Sequence, residues 1–586
     1  METHTMLKRI FALLLFVLSA HVAFAQQASD KKPAETEKLR KEAVEFLRET
    51  MTEVNNMRSL ENRISFASEM ASLMWLYDER EARSMYVGVA ADFKSLVIDY
   101  DNRMNALGPS EDDDLGYAGP FSGDMSEGTR LKRQFTVALG VRKQIALTLA
   151  EHEPDMAINF YRDSVQAVNN KTLRKQIAGP DNSFEFELMG QIAENSAAKA
   201  AAMAKKSLDK GVTYQHLDLL KKIYEKDADK GIDLASDMLS KIKDDRGSKL
   251  ADLSVMTSLL RYGTETFEKS KKEGAKKPVY DESQLRDLAD TIGQIVLDAK
   301  VNGDDPGAIE IADVIEKYAP SRALQIRAKF RPRSPAANSP SQSSGTMNTT
   351  GYASNSNAAG LAAAQRRASA DAADKKLLED VQKVGNSTLP KEEREKVITE
   401  LRKIISQTKG TDKKIIALNM LASQVFHAGD KDLAGDIMKD AEGLVNPQPK
   451  NFQDFLFTWM VVSGYAEVNP EKAFPIIENA ILRLNDTIGA FLKVAEFIDL
   501  NGEIIDDGEI QVGAFGGSML REITGMLNSG GNVVGTLAHA DFAKTKALTN
   551  DFERPEVRVL AKMMVIRTIL AEKKDADAAK AALLDK

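Results

Sequence analysis

The chain has 586 residues, 43% of them hydrophobic, with 79 Lys and Arg, 87 Asp and Glu, six histidines and no cysteine. That length allows more than one buried core, while the missing cysteines exclude disulfides, thiolate nucleophiles, cysteine metal sites and a lipid-modified cysteine. The net charge of −8, with no dense cluster of Lys and Arg, gives no footprint for a nucleic-acid or anionic-membrane partner.

Residues 1–25 have the three parts of a secretory signal peptide. Lys8 and Arg9 form the charged start, Ile10 to Leu18 the apolar stretch, and Ala23-Phe24-Ala25 the small-residue cleavage site before Gln26. The apolar run falls short of the roughly 20 residues needed to span a bilayer, and no later run is apolar enough. The expectation is a periplasmic or secreted protein with no membrane insertion after cleavage.

Residues 35 to about 105 read as three helices. Leu39, Ala43, Phe46, Leu47, Met51 and Val54 give the first an apolar face, and Ile64, Phe66, Met70, Leu73 and Met74 the second. Asp78 is placed to cap the third. Gly108 and Pro109 stop the series, and Glu111-Asp112-Asp113-Asp114 opens a loop. It lacks the spaced ligands and turn glycine of a calcium loop, so a solvated acidic loop is the reading. From Glu127 to Phe330 helical periodicity resumes, punctuated at Pro154, Gly179-Pro180, Gly211, Gly247, Pro278, Pro306 and Pro320.

Composition then changes. From Arg331 to Gly360, Ser, Thr, Asn, Pro and Gly supply 20 of 30 residues, too few apolar groups to offset ordering entropy. Residues 331–372 are therefore expected to be a disordered linker between two helical arrays, 26–330 and 373–586.

In the second array Leu418, Leu421, Ala422 and Val425 share one face. Further on, Asn469-Pro470 is a helix start, and Ala473, Ile477 and Ala480 follow as a narrow stripe of small and large residues. Asp430 to Ala434 begins a similar stretch, with Met438 and Ala441 in the matching places. Ala157, Ala200 and Gly231 each lie six residues after a glutamate (Glu151, Glu194, Glu225), as Ala473 lies six after Glu467. The intervals 157 to 200, 200 to 231 and 434 to 473 fit a degenerate two-helix repeat. One stretch breaks the pattern: in Glu503 to Val512, Asp507-Gly508 sits between β-prone runs and predicts a hairpin pairing Ile505 with Ile510. Pro555 opens a last helix carrying Val557, Val559, Leu560, Met563 and Met564.

No catalytic, cofactor-binding or metal-binding residue is assigned. His152, His216, His427 and His539 have no second histidine three or four residues away, and Met156 stands where a zincin motif needs one. Ser518 follows Gly516-Gly517, but Met519-Leu520 replaces the rest of a nucleophile elbow. Trp75 and Trp459, the only tryptophans, lie in apolar stripes and read as core.

At Leu418, Leu421, Ala422, Val425, Ala434, Met438 and Ala441 the spacing resembles a tetratricopeptide repeat. Leu418, Ala422 and Val425 stand where that family has Trp, Gly and Tyr. The ending from Ala540-Asp541-Phe542 through Glu553-Arg554-Pro555-Glu556-Val557-Arg558 also resembles uncharacterised exported bacterial helical-repeat proteins. The resemblance implies an all-α fold, an α-solenoid of helical hairpins, whose grooves hold a protein or peptide partner. The expected function is thus a non-catalytic scaffold in the cell envelope. The alternative is an all-helical hydrolase of cell-wall or sugar polymers using a carboxylate pair.

Overall fold

The computed structural model describes residues 33–107, 127–178, 182–244, 253–272, 276–298, 306–330, 376–384, 390–497, 505–512, 515 and 533–584. Residues 1–25, read above as a signal peptide, residues 331–372, read as a linker, the acidic residues 111–114 and Ser518 lie outside them. The fold is all-α: among the described residues, the one sheet is the short hairpin of Ile505–Asp506 and Glu509–Ile510. Its register pairs Ile505 with Ile510, as the sequence implies. Asp507 and Gly508 both have positive φ, at 47° and 74°, which a two-residue primed turn requires and Asp and Gly tolerate best.

One turn geometry recurs through the described helices. At Asp78, Glu153, Ser196, Asp227, Ala319, Asn469 and Asp541 an extended residue, with φ from −128° to −154° and ψ from 61° to 103°, stands just before the next helix; at Ser196, Asp227, Asn469 and Asp541 it alone separates the two helices, and at the other three a short turn precedes it. Its N–H donates to the carbonyl four residues back at 2.7–2.8 Å, which closes the first helix as the second begins. Four residues after that hinge stand Ala82, Ala157, Ala200, Gly231, Ala323, Ala473 and Thr545, all buried. A hinge this short brings the second helix back against the last turn of the first, so a large side chain there has no room. Gly231 shows the limit: a Cβ added to it would lie 2.6 Å from Tyr224 Cβ and 2.7 Å from Tyr224 Cα. At Asp430 the turn differs. Gly429, with φ 91°, precedes it, and the Asp430 N–H reaches five residues back to Val425 O at 3.2 Å.

Contacts divide the chain into two compact units. One holds residues 100–105 and 135–348. Its helices, from Pro154–Asp163 through Asn182–Asn195, Ala197–Ser207, Tyr214–Lys226, Ala228–Asp244, Leu253–Ser270 and Glu282–Asp298 to Pro320–Lys329, pack mostly on the next and the next but one. That order is what a stack of helical hairpins produces. Side chains tie successive hairpins at repeating separations: Asp155 to Lys199 and Lys243 to Asp287 span 44 residues, and Lys205 to Asp237 and Asp290 to Arg322 span 32. Where hinges carry a glutamate two residues earlier, it joins these ties. Glu194 pairs with Lys226 at 2.7 Å, and the Glu151 and Glu225 carbonyls accept from Asn195 and Lys276.

The other unit holds residues 1–99, 106–134 and 349–586. Within it, the helices Thr411–His427, Lys431–Glu442, Phe452–Val468 and Pro470–Phe497 pack in chain order around Leu421, Ala422, Val425, Ala434, Met438, Ala441 and Ala473. The last helix, Pro555–Leu584, instead lies against Pro33–Asn55 and Leu60–Met74 at the other end of the chain. Val559, Met563, Ile566 and Leu570 of the last helix are buried, as are Phe46, Leu47 and Val54 of the first. One boundary between the units, at 348 and 349, falls within residues 331–372, but this unit also takes residues from before that stretch. Composition reports how much one segment can bury by itself and is silent on which distant helices pair.

Candidate functional site

A group of buried polar side chains, Ser59, Asn62, Glu509, Gln511 and Glu556 among them, lies at the hairpin and the helix starts beside it. Ser59 caps the helix Leu60–Met74, its side chain accepting from the Asn62 amide. The amides of Arg58 and Ser59, just ahead of that helix, donate to the Glu509 carboxylate at 3.0 and 3.2 Å. A helix start presents unpaired N–H groups and the positive end of its dipole, so a buried carboxylate is stabilised there. Asn62 then bonds the hairpin backbone twice, from Nδ2 to Ile510 O and through Oδ1 from Val512 N, both at 2.9 Å. Behind the strand, Glu556 Oε1 accepts from Ile510 N at 3.0 Å and from Arg554 Nε at 2.9 Å. Arg554 also donates to Gly508 O at 2.6 Å. Glu509 is 4% exposed and Glu556 fully buried. At the turn, desolvation and then the charges of Asp506, Asp99 and Glu509 hold the Asp507 carboxyl above its ordinary value, with Arg58 opposing them.

Glu509 and Glu556 are two buried acids bonded at the same hairpin, and no spacing motif marks them in the sequence. Chemically they serve as acceptors. Backbone amides occupy both oxygens of Glu509, and burial keeps a polymer substrate from reaching either carboxylate.

The histidines fall in separate places. His216 is buried at the start of Tyr214–Lys226, where it completes a capping box with Thr213. Its Nδ1 accepts from Thr213 N at 3.2 Å, and Nε2 faces Ser207 Oγ at 2.9 Å. Since Ser207 Oγ donates its own proton to Ala204 O, the network assigns the imidazole proton to Nε2. Burial brings the His216 pKa down to about 4. His427 ends Thr411–His427, and its Nε2 and Ser423 Oγ both meet Glu467 Oε1 at 2.8 Å. Serine, histidine and glutamate are thus together, but Ser423 bonds the glutamate and not the imidazole. A nucleophile needs the histidine between hydroxyl and acid, so the trio is a tie between helices. His152 lies in the hinge before Pro154, and His539 near the end of Val533–Ala540. Among the described residues, no group of three or more His, Asp and Glu is arranged to hold a metal ion.

Trp75 is buried, as its apolar stripe implies, while Trp459 is half-buried against the core of the C-terminal helices. No helix among the described residues is long and apolar enough to cross a membrane. Comparison with family models, curated proteins and solved structures finds no match to the chain in any of the three.

Proposed function

We propose that the protein is an exported, non-catalytic helical-repeat scaffold that binds a protein or peptide partner in the cell envelope. The observation that carries this reading is the recurring extended hinge residue with a buried small residue four positions on. Hinges of one geometry stack helix pairs in one sense, and a stack of pairs offers a long surface rather than a single enclosed pocket. The polar groups best placed for chemistry, Glu509, Glu556, His216 and Glu467, are engaged in joining helices. A hydrolase acting on cell-wall or sugar polymers would need two carboxylates open to substrate, which Glu509 and Glu556 are not.

Two measurements test the proposal. N-terminal sequencing of the protein, recovered from the periplasmic or secreted fraction, should begin at Gln26; recovery only from the cytoplasmic fraction with Met1 intact would remove export from the reading. Crosslinking in living cells followed by affinity capture and mass spectrometry should return a small, reproducible set of proteins. Release of sugars or peptides from purified cell wall by the protein alone would instead establish the hydrolase.

A further inference from the structure

The hairpin is read in two ways at once by one helix start. Asn62 bonds a carbonyl and an N–H two residues apart on one side of the extended segment Glu509 to Val512. Glu509 of the same segment is bound by the amides of Arg58 and Ser59 and approached by Asn62 Nδ2 at 3.4 Å. The Glu509 side chain and the backbone of Ile510 and Val512 are thus recognised together, which is how a scaffold reads an extended peptide. The segments so joined lie about 450 residues apart, on opposite sides of the 331–372 linker.

Other contacts support the same joint. Phe46 meets Phe542 edge-on, with centroids 6.1 Å apart. Lys562, its side chain 7% exposed, bonds Glu53 at 2.6 Å, and Lys546 bonds Glu49 at 2.6 Å. Tyr77 Oη donates to Leu570 O at 3.2 Å.

We propose that residues 58–62 and 509–512 form a recognition joint by which the C-terminal part of the chain holds the N-terminal helices as its partner. Covalent continuity through the linker is not needed to keep them together. Two features carry this. The apolar faces of Pro33–Asn55 and Pro555–Leu584 are each other's cover, so separation would expose both. The buried Glu509 carboxylate is met by the Arg58 and Ser59 amides and the Asn62 side chain, which only the joint brings to it.

The test uses the full-length protein with a specific protease site placed between residues 340 and 360. After complete cutting, judged on a denaturing gel, both pieces should elute in one native peak at the position of the uncut protein. Asn62→Ala and Glu509→Gln, each shown before cutting to keep the wild-type far-UV spectrum, should raise the dissociation constant of the cut pieces by roughly tenfold or more. Should Glu509→Gln not fold, Asn62→Asp, which keeps the acceptor for Val512 N and loses the donor to Ile510 O, replaces it. Wild-type pieces that separate or precipitate on cutting would overturn the proposal. So would variants whose pieces hold together as tightly as wild type.

Discussion

The two units use the same device at very different range. In the unit of residues 100–105 and 135–348, Asp101 is buried and its Oδ1 accepts from the amides of Asn169 and Asn170, at 2.9 and 2.7 Å. Asn170 caps the helix Lys171–Ile177. In the other unit Glu509 accepts from Arg58 and Ser59, again the cap and the residue before it. Each carboxylate satisfies amides that a helix start leaves without intrahelical partners. The Asp101 contact spans 68 residues and sits in a stack whose helices meet their near neighbours; the Glu509 contact spans 451 and closes a unit built from both ends of the chain. The difference teaches that near-neighbour packing supplies the first unit, whereas the second adds contacts between segments about 450–510 residues apart.

That contrast is open to attack, beginning with the largest effect. Glu509→Ala leaves two backbone amides and part of Asn62 without their acceptor, at a cost of about 3–5 kcal/mol, since each buried orphan costs about 1–3. Both tryptophans, Trp75 and Trp459, belong to this unit, so urea unfolding followed by tryptophan fluorescence should register the loss. Asp101→Ala should cost about 2–4 kcal/mol by the same argument, but in a unit without tryptophan. Its effect should appear by circular dichroism while the fluorescence midpoint stays in place. Coincident shifts in both signals for both variants would mean that the units unfold as one.

His216 adds a pH dependence to the locally stacked unit. Its pKa is about 4 in the fold, against 6.5 for an unperturbed histidine, because burial disfavours the charged ring. Between those values the unfolded chain takes up a proton that the folded chain does not. The contribution is complete above pH 6.5 and falls away as pH drops toward about 4, by up to roughly 3 kcal/mol. His216→Gln should flatten that part of the stability profile; an unchanged slope would place the effect elsewhere.

Smaller effects test the hinge. Gly231→Ala forces a methyl group against Tyr224, and Ala473→Leu inserts three more carbons at a fully buried site; each should cost about 1–3 kcal/mol. Lys472→Leu, one residue away and exposed, should change stability by less than about 0.5 kcal/mol. If thermal melts show Ala473→Leu no less stable than Lys472→Leu, the packing register is wrong. Smallest of all should be Lys243→Gln, which breaks a solvent-exposed pair with Asp287 worth about 0.2–1 kcal/mol and sensitive to salt.

Much was legible in the residues themselves. Asn469-Pro470 and Asp78 start helices, Ala157, Ala200, Gly231, Ala434 and Ala473 are buried packing positions, and Asp507-Gly508 turns a hairpin that pairs Ile505 with Ile510. These features are local: capping, turn conformation and helical periodicity act over a few residues, so a sequence states them directly. The partners of the final helix were not legible. Its buried residues Ile566, Ile569 and Leu570 go with any apolar face, and nothing in their spacing names Pro33–Asn55. Glu509, Asn62 and Glu556 are equally silent in sequence, because a carboxylate becomes a helix-start acceptor only when folding brings it there. Local physics thus determined that the chain forms short-hinged helix pairs and one hairpin. The tertiary structure alone decided that its two ends meet, since that pairing rests on long-range burial and on hydrogen bonds that exist only once the ends are together.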